Sequence, residues 1–224
     1  MTDQPAGRPV LRVGFVAGVT LRKWRTIWAE RYPGVTLEVT EVAQAEQRRA
    51  LADGEVDLCF VRLPIDTDGL HLIPLYEELP VAWSSKDHPI AAVEEVTLDD
   101  LTGEMLLTEV TPDALQQAAF ADAVLLVPLS VARTHSRRDF VHRLIADAPS
   151  TRIGLAWRVD NDHPWIDDFI GVVRGRTPNS SRSTALTSRD KESVAAERGS
   201  TPKQARPARA TGGSGANRRR GRRR

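Results

Sequence analysis

The chain has 224 residues and a net charge of only +1, but residues 1–173 carry 16 Lys and Arg against 27 Asp and Glu, whereas residues 174–224 carry 15 against 3. This length allows one or two domains, and a single cysteine excludes a disulfide framework and a cysteine-based zinc site. No apolar run approaches the roughly 20 residues of a membrane span, and the N-terminus has no secretory pattern, so we expect a cytoplasmic protein without membrane contact.

The first predicted elements form a β-α-β-α-β unit. Strands are predicted at residues 11–19, 35–42 and 56–64, and helices at 21–32 and 44–53. The first and third strands are apolar almost throughout, which is typical of strands buried on both faces of a parallel sheet. Because the crossovers between such strands are right-handed, we predict an α/β fold with a helix-covered parallel sheet.

A sheet of this kind binds ligands beyond the carboxyl ends of its strands. The predicted strand ends are residues 18–20, 41–43 and 62–64. Arg62 ends a buried strand, and its guanidinium can bind a carboxylate bidentately. The alternative is an internal salt bridge from Arg62 to Asp66 or Glu41.

The first helix begins with an unusual charge pattern. Thr20 is predicted to be its N-cap, and Arg22, Lys23 and Arg25 occupy the opening turns, where the helix dipole favours acidic residues. A small anion bound at the Thr20 turn is one explanation, since N–H groups, a hydroxyl and positive charge meet there. Solvated surface charge is the other explanation.

The second half of the chain continues as an α/β pattern. Further strands are predicted within residues 70–85 and at residues 105–108, 123–128, 138–145 and 152–159. Short or full helices are predicted to begin at Thr97, Thr111, Ser130 and Pro164, and Thr111 followed by Pro112 is a strong helix start. Residues 1–9 and 176–224 are predicted to be disordered, because the second segment in particular has too few apolar residues to offset ordering entropy.

Motifs typical of enzymes are missing from the sequence. It contains no nucleophile elbow, phosphate-binding loop, zinc-protease motif or dinucleotide fingerprint, and its five histidines are scattered. We therefore predict no catalytic residues, no metal site and no cofactor. A pocket that paired a base with a nucleophile would revive a weaker alternative, a hydrolase or transferase on the same fold. Cys59 lies in a predicted buried strand, where packing is its expected role.

Six segments, in their order and spacing, resemble the effector-binding domain of LysR-type transcriptional regulators. They are LRVGFVAGVT, RYPGVTLEV, LADGEVDLCFVRLP, PVAWSSKDHPIA, VPLSVAR and RIGLAWRVDNDHPWIDDF. The resemblance implies an α/β fold of the type II periplasmic-binding-protein kind, with two lobes of mainly parallel sheets and a ligand cleft between them. It implies that lobe I comprises residues 10–85 and 158–175, and that residues 86–157 form a shortened lobe II.

The resemblance also implies site residues and partners. The matching cleft positions are Gly18, Val19, Thr20, Arg62, Leu63 and Pro64 in lobe I, and Pro128 and Ser130 in lobe II. The implied ligand is a small anionic metabolite, and the implied assembly is a homodimer through the first helix. Trp24 and Trp28 are candidates for that contact, with core packing as the alternative. The chain is similar to a stand-alone actinobacterial type, so we expect no helix-turn-helix head.

The basic C-terminal segment suggests a second function. Its last arginines are Arg218, Arg219, Arg220, Arg222, Arg223 and Arg224. They suit contact with phosphate backbones, and because the segment has no aromatic residue on which bases could stack, we expect no sequence preference. The leading prediction is an effector-binding domain involved in transcription regulation. The alternative is a protein that associates non-specifically with nucleic acid through this segment, and a solvated segment without a partner is a further possibility.

Overall fold

A computed structural model describes residues 8–135 and 137–176, so most of the predicted basic segment, residues 177–224 with the six terminal arginines, lies outside the described residues. The strands are β1 (Val10–Phe15), β2 (Thr36–Glu41), β3 (Leu58–Leu63), β4 (Leu70–Glu78), β5 (Pro80–Ser85), β6 (Glu95–Val96), β7 (Leu106–Leu107), β8 (Val124–Pro128), β9 (Phe140–Ile145) and β10 (Thr151–Arg158). The helices are α1 (Arg22–Arg31), α2 (Gln47–Ala52), α3 (Pro112–Ala119), α4 (Leu129–Thr134) and α5 (Ile166–Val173), with 3-10 turns at Gln44–Glu46, Pro89–Ala92 and Asp99–Leu101.

The strands form two sheets, which define the two lobes. The order is β2-β1-β3-β10-β4 in lobe I and β6-β9-β5-β8-β7 in lobe II. Both sheets are mixed: β10 runs antiparallel to β3 and β4, and β5 runs antiparallel to β8 and β9. The prediction of mainly parallel sheets is confirmed, because four of the five strands in each sheet run in the same direction, and the exceptions are β10 in lobe I and β5 in lobe II. The chain crosses between the lobes twice. The first strand after each crossing, β5 in lobe II and β10 in lobe I, runs antiparallel to the other strands of its sheet.

Strand pairing divides the chain differently from the ranges expected at the sequence level. The segment β5 was expected in lobe I but pairs within the sheet of lobe II, and β10 was expected in lobe II but pairs between β3 and β4. The crossings therefore fall at Leu79, between β4 and β5, and at residues 146–150, between β9 and β10. The outer strands β6 and β7 of lobe II have two residues each.

The core of lobe I is built around the aromatic stripe of α1. Trp28 is 1% exposed, packs edge-on against Phe169 of α5, and donates its indole N–H to the carbonyl of Val35 over 3.1 Å. Trp24 stacks on Phe60 of β3 with ring centroids 4.6 Å apart. Both tryptophans therefore contribute to the core, which is the alternative foreseen for this stripe.

Helix starts agree with the sequence where a strong local cap exists. The Thr111 hydroxyl accepts the N–H of Ala114 over 3.1 Å, and Pro112 occupies the first helical position, as predicted. The predicted Thr20 cap is wrong. Buried Leu21 takes the N-cap position of α1, and within the described residues no side chain caps that turn. The N-cap of α1 therefore lies one residue beyond Thr20.

Candidate functional site

A cavity of about 390 Å³ lies between the two lobes, and we call it the interlobe cavity. Lobe I contributes Ala17, residues 41–45 and Arg62 to its lining. Lobe II contributes residues 108–111, Val127, Pro128, Val131 and His135. The lobe I residues follow or end β1, β2 and β3, so the cavity lies at the carboxyl ends of parallel strands, where α/β sheets usually bind ligands.

Arg62 is the most buried charged residue of this lining, with 4% of its surface exposed. Its Nε donates to Glu78 Oε2 over 2.8 Å, its Nη1 to Gln44 Oε1 over 3.1 Å, and its Nη2 to the carbonyl of Ala17 over 2.8 Å. The Gln47 amide fixes the backbone, because it bonds both the N–H and the carbonyl of Arg62 over 2.9 Å. The guanidinium is thus held rigidly at the cavity wall.

The internal salt bridge foreseen for Arg62 exists, but with a different partner. Glu78 takes this role, whereas Asp66 is 3.9 Å from Arg48 and Glu41 lines the cavity. The side chains of Arg62 and Glu78 are 4% and 3% exposed, so the pair is buried on both sides. Arg62 therefore combines both roles considered for it: it forms an ion pair and it lines the cavity.

Glu78 also connects the two lobes. Its Oε1 accepts a short hydrogen bond from the hydroxyl of Ser130 in α4, while its Oε2 accepts from Arg62 in β3. Gly18 packs against the same place: a Cβ built on it would lie 2.5 Å from Ser130 Oγ, and its φ of +91° is unfavourable for other residues. The Glu78 carboxylate thus links the lobes beside the cavity, and the missing side chain of Gly18 lets them approach closely there.

Partial burial and the charge of Glu78 raise the pKa of the neighbouring Tyr76. Burial is the larger effect, Glu78 adds to it and Arg62 opposes it, and together they raise the pKa of Tyr76 to about 12. Tyr76 therefore stays protonated and neutral at the pH where a cell operates. It adds no charge next to the Arg62–Glu78 pair.

The sequence-predicted site residues fall into separate groups. Arg62 and Pro128 line the interlobe cavity, and Gly18 and Ser130 meet across the lobes beside it. Leu63 and Pro64 are joined by a cis peptide and lie outside the described lining of the cavity. Val19 and Thr20 lie elsewhere, as described next.

Val19 and Thr20 line an open groove of about 800 Å³ along α1 and β2, which we call the α1 groove. Arg8, Arg22 and Arg25 also line it, so it is basic as the sequence suggested. The structure therefore does not bring Thr20 and Arg62 into one cavity lining. The prediction that ligands bind at the carboxyl ends of the strands fits Arg62 and residues 41–43, which line the interlobe cavity. It does not fit Thr20, which lines the α1 groove.

Several cavity residues were missed at the sequence level. Glu109, Thr111 and His135 belong to lobe II, and only the order of the two sheets brings them opposite residues 41–45. Among the described residues, no group of three His, Cys, Asp or Glu side chains is placed to hold a metal ion, and no helix is long and apolar enough to cross a membrane.

Comparison with known proteins agrees with this architecture. The BenM effector-binding domain with its effector benzoate has a TM-score of 0.64 at 20% identity, covering 77% of this chain and 96% of that one. The reduced OxyR regulatory domain of Pseudomonas aeruginosa has a TM-score of 0.61 at 19% identity, covering 75% of this chain and 96% of that one. At this level of identity the likeness concerns the fold, which is that of LysR effector-binding domains.

Sequence relatives are transcriptional regulators rather than enzymes. The regulator AlsR of Bacillus subtilis (strain 168) is 26% identical over 211 residues, which cover 80% of this chain and 70% of AlsR. A probable hydrogen peroxide-inducible genes activator of Mycobacterium avium is 33% identical over 103 residues, or 45% of this chain and 33% of that protein. The family model described as LysR substrate binding domain matches residues 4–123, more than half of the 224 residues. The chain therefore belongs to the LysR substrate-binding domain family.

Proposed function

We propose that the interlobe cavity binds a small molecule with an anionic group, and that this binding serves transcription regulation. The observation that carries the proposal is a cavity of about 390 Å³ with a fixed guanidinium in its wall. This volume is within the range of small-molecule sites in proteins. In the proposed site Arg62 and Pro128 line the ligand space, while Gly18 and Ser130 hold the lobes around it.

Two features support an anionic group on the ligand. Arg62 uses three of its five N–H donors on Glu78, Gln44 and Ala17, which leaves two for a ligand oxygen. The start of α3 lies at the cavity through Thr111, and a helix N-terminus favours negative charge nearby. BenM, which shares the fold, is named with benzoate as its effector, and benzoate is a carboxylate.

A screen of small carboxylates by thermal shift tests this proposal. A ligand at 100 times its Kd stabilises the folded state by about 2.7 kcal/mol, which raises Tm by several degrees in a chain of this size. The variant Ala45→Trp fills the cavity and should abolish the shift. The control Ala52→Trp adds the same side chain at an exposed position at the end of α2, outside the cavity lining, and should retain the shift. The proposal fails if no compound raises Tm, or if both variants respond like the wild type.

We further propose that the chain forms a homodimer along α1 and β2. β2 is the outer strand of the lobe I sheet, and the α1 groove runs beside it. Half-buried Val39 lines that groove, so Val39→Asp should weaken self-association. Sedimentation of the wild type and this variant at several concentrations measures the effect. A monomeric wild type at high concentration would contradict the proposal.

The charge of residues 174–224 favours non-specific nucleic-acid binding as a second candidate function. Fifteen Lys and Arg against three acidic residues give this segment a net charge of +12. Binding that rests on phosphate contacts weakens steeply as salt increases. Mobility shifts of the full chain and of a chain ending at residue 176 should differ, and the difference should shrink at high salt. Equal retention of DNA by both chains would exclude the segment.

A further inference from the structure

We infer that the ligand of the interlobe cavity is zwitterionic, an amino carboxylate rather than a simple carboxylate. The inference depends on the proposed function, because it assigns a chemical class to the ligand of the same cavity. It rests on the distribution of charge in the lining. One positive group there is already neutralised, whereas two negative groups are not.

The positive charge of Arg62 is balanced inside the protein. Its Nε lies 2.8 Å from a carboxylate oxygen of Glu78, and both side chains are almost fully buried. Arg62 therefore offers a ligand hydrogen-bond donors rather than an unbalanced charge. Its two remaining N–H groups suit the oxygens of a carboxylate.

Two carboxylates of the lining lack such a balance. Glu41 ends β2 in lobe I, and Glu109 lies in the β7–α3 loop of lobe II. Both side chains are exposed at the cavity lining, and across residues 8–135 and 137–176 neither has a hydrogen-bond or ion-pair partner in the protein. The cavity thus presents one unpaired negative charge from each lobe. A ligand with only negative charge would meet both of them without compensation.

One nitrogen of His135, which also lines the cavity, is already used inside the protein. Its Nδ1 lies 3.1 Å from the carbonyl of Val131 and donates to that oxygen. An ammonium group has three donors and a full positive charge, so it can donate hydrogen bonds to a carboxylate such as that of Glu41 or Glu109. A molecule with an ammonium group for these side chains and a carboxylate for Arg62 matches the whole lining.

Matched ligands test the class directly. The probes are the proteinogenic amino acids, each compared with the carboxylate that lacks its amino group and the amine that lacks its carboxylate, as in alanine, propionate and ethylamine. Calorimetry and thermal shift are measured on the full chain. At least one amino acid should bind more tightly than both of its matched compounds, because only it satisfies Arg62 and the acidic pair together.

Charge-neutralising variants then locate the ammonium contact. Glu41→Gln and Glu109→Gln should each weaken binding of that amino acid about two- to fivefold, the range for an exposed ion pair. Neither should weaken binding of the matched carboxylate. Glu30→Gln, an exposed position on α1 away from the cavity, is the control and should change nothing.

The outcomes separate this inference from the proposal beneath it. A simple carboxylate that binds the wild type as tightly as its amino acid would overturn the zwitterion class while supporting an anion-binding cavity. If amino acids fail to bind, the class is likewise rejected, and the carboxylate screen decides the broader proposal. Equal binding by wild type, Glu41→Gln and Glu109→Gln would remove the acidic pair from recognition and reject the inference.

Discussion

Replacing one member of the Arg62–Glu78 pair should strongly destabilise the protein. Both side chains are at most 4% exposed, so removing one leaves the other as an uncompensated buried charge. Such a loss typically costs about 3–5 kcal/mol. Arg62→Met also removes the donors to Gln44 and Ala17, so we expect the upper part of this range for that variant. Glu78→Gln keeps an acceptor for Ser130 and should fall in the lower part.

The double variant decides whether the pair acts as a unit. If it does, Arg62→Met with Glu78→Gln should cost less than the sum of the single changes by about 2–3 kcal/mol. Urea unfolding of the full chain, followed by tryptophan fluorescence and far-UV circular dichroism, gives the free energy of unfolding. Arg152→Met is the control, because its pair with Glu77 is 61% and 53% exposed and should contribute at most about 1 kcal/mol. Additive costs, or an Arg62→Met cost equal to that of Arg152→Met, would refute the reasoning.

Three further predictions follow from local geometry. Gly18→Ala should lower the free energy of unfolding by about 1–3 kcal/mol, because the added methyl group meets Ser130 and the backbone φ is +91°. Gly34→Ala adds a methyl group into open space and is the control in the same urea experiment. Burial raises the pKa of Cys59 to about 12, so the native protein should not react with Ellman's reagent at pH 8, and fast labelling without urea would contradict this. Thr111→Ala should cost about 1 kcal/mol of stability through loss of the α3 cap, and Thr111→Ser should restore most of it; equal stability of the two variants would exclude the cap.

Local sequence patterns predicted the elements better than the division into lobes. The apolar run before Gly18 and the Thr111–Pro112 start are recognisable because their causes lie within a few residues. The boundary at Leu79 is different. β4 and β5 are separated by a single residue and form one continuous stretch of strand-like sequence, yet they belong to different sheets. Only pairing with distant β8, β9 and β10 decides where each part belongs, and that information is not local.

The candidate site was predictable to the extent that strand ends determine it. Arg62 and Glu41 both lie where parallel strands of lobe I end, and both line the cavity. The partner of Arg62 was not predictable, since Glu41, Asp66 and Glu78 are chemically alike and only the fold selects Glu78. The position of Glu109 in the cavity lining was not predictable either, because no local sequence signal indicates which residues of lobe II lie opposite lobe I. The balance of charge in the cavity depends on residues from both lobes, so it requires the three-dimensional structure.

The position of Glu78 gives the cavity a physical connection to the arrangement of the lobes. Glu78 ends β4, one residue before the crossing at Leu79, and its two oxygens bind Arg62 of lobe I and Ser130 of lobe II. A ligand oxygen that takes the free N–H groups of Arg62 draws on the same guanidinium that holds Glu78. If a ligand binds Arg62 as proposed, its affinity should respond to changes at Ser130, because Arg62 and Ser130 both bind Glu78. By linkage, a ligand that binds one lobe arrangement better than another must shift the population toward it, by no more than that difference in affinity. In the proposed site, Glu78 is thus the residue through which a ligand on Arg62 would affect the contact between the lobes at Ser130.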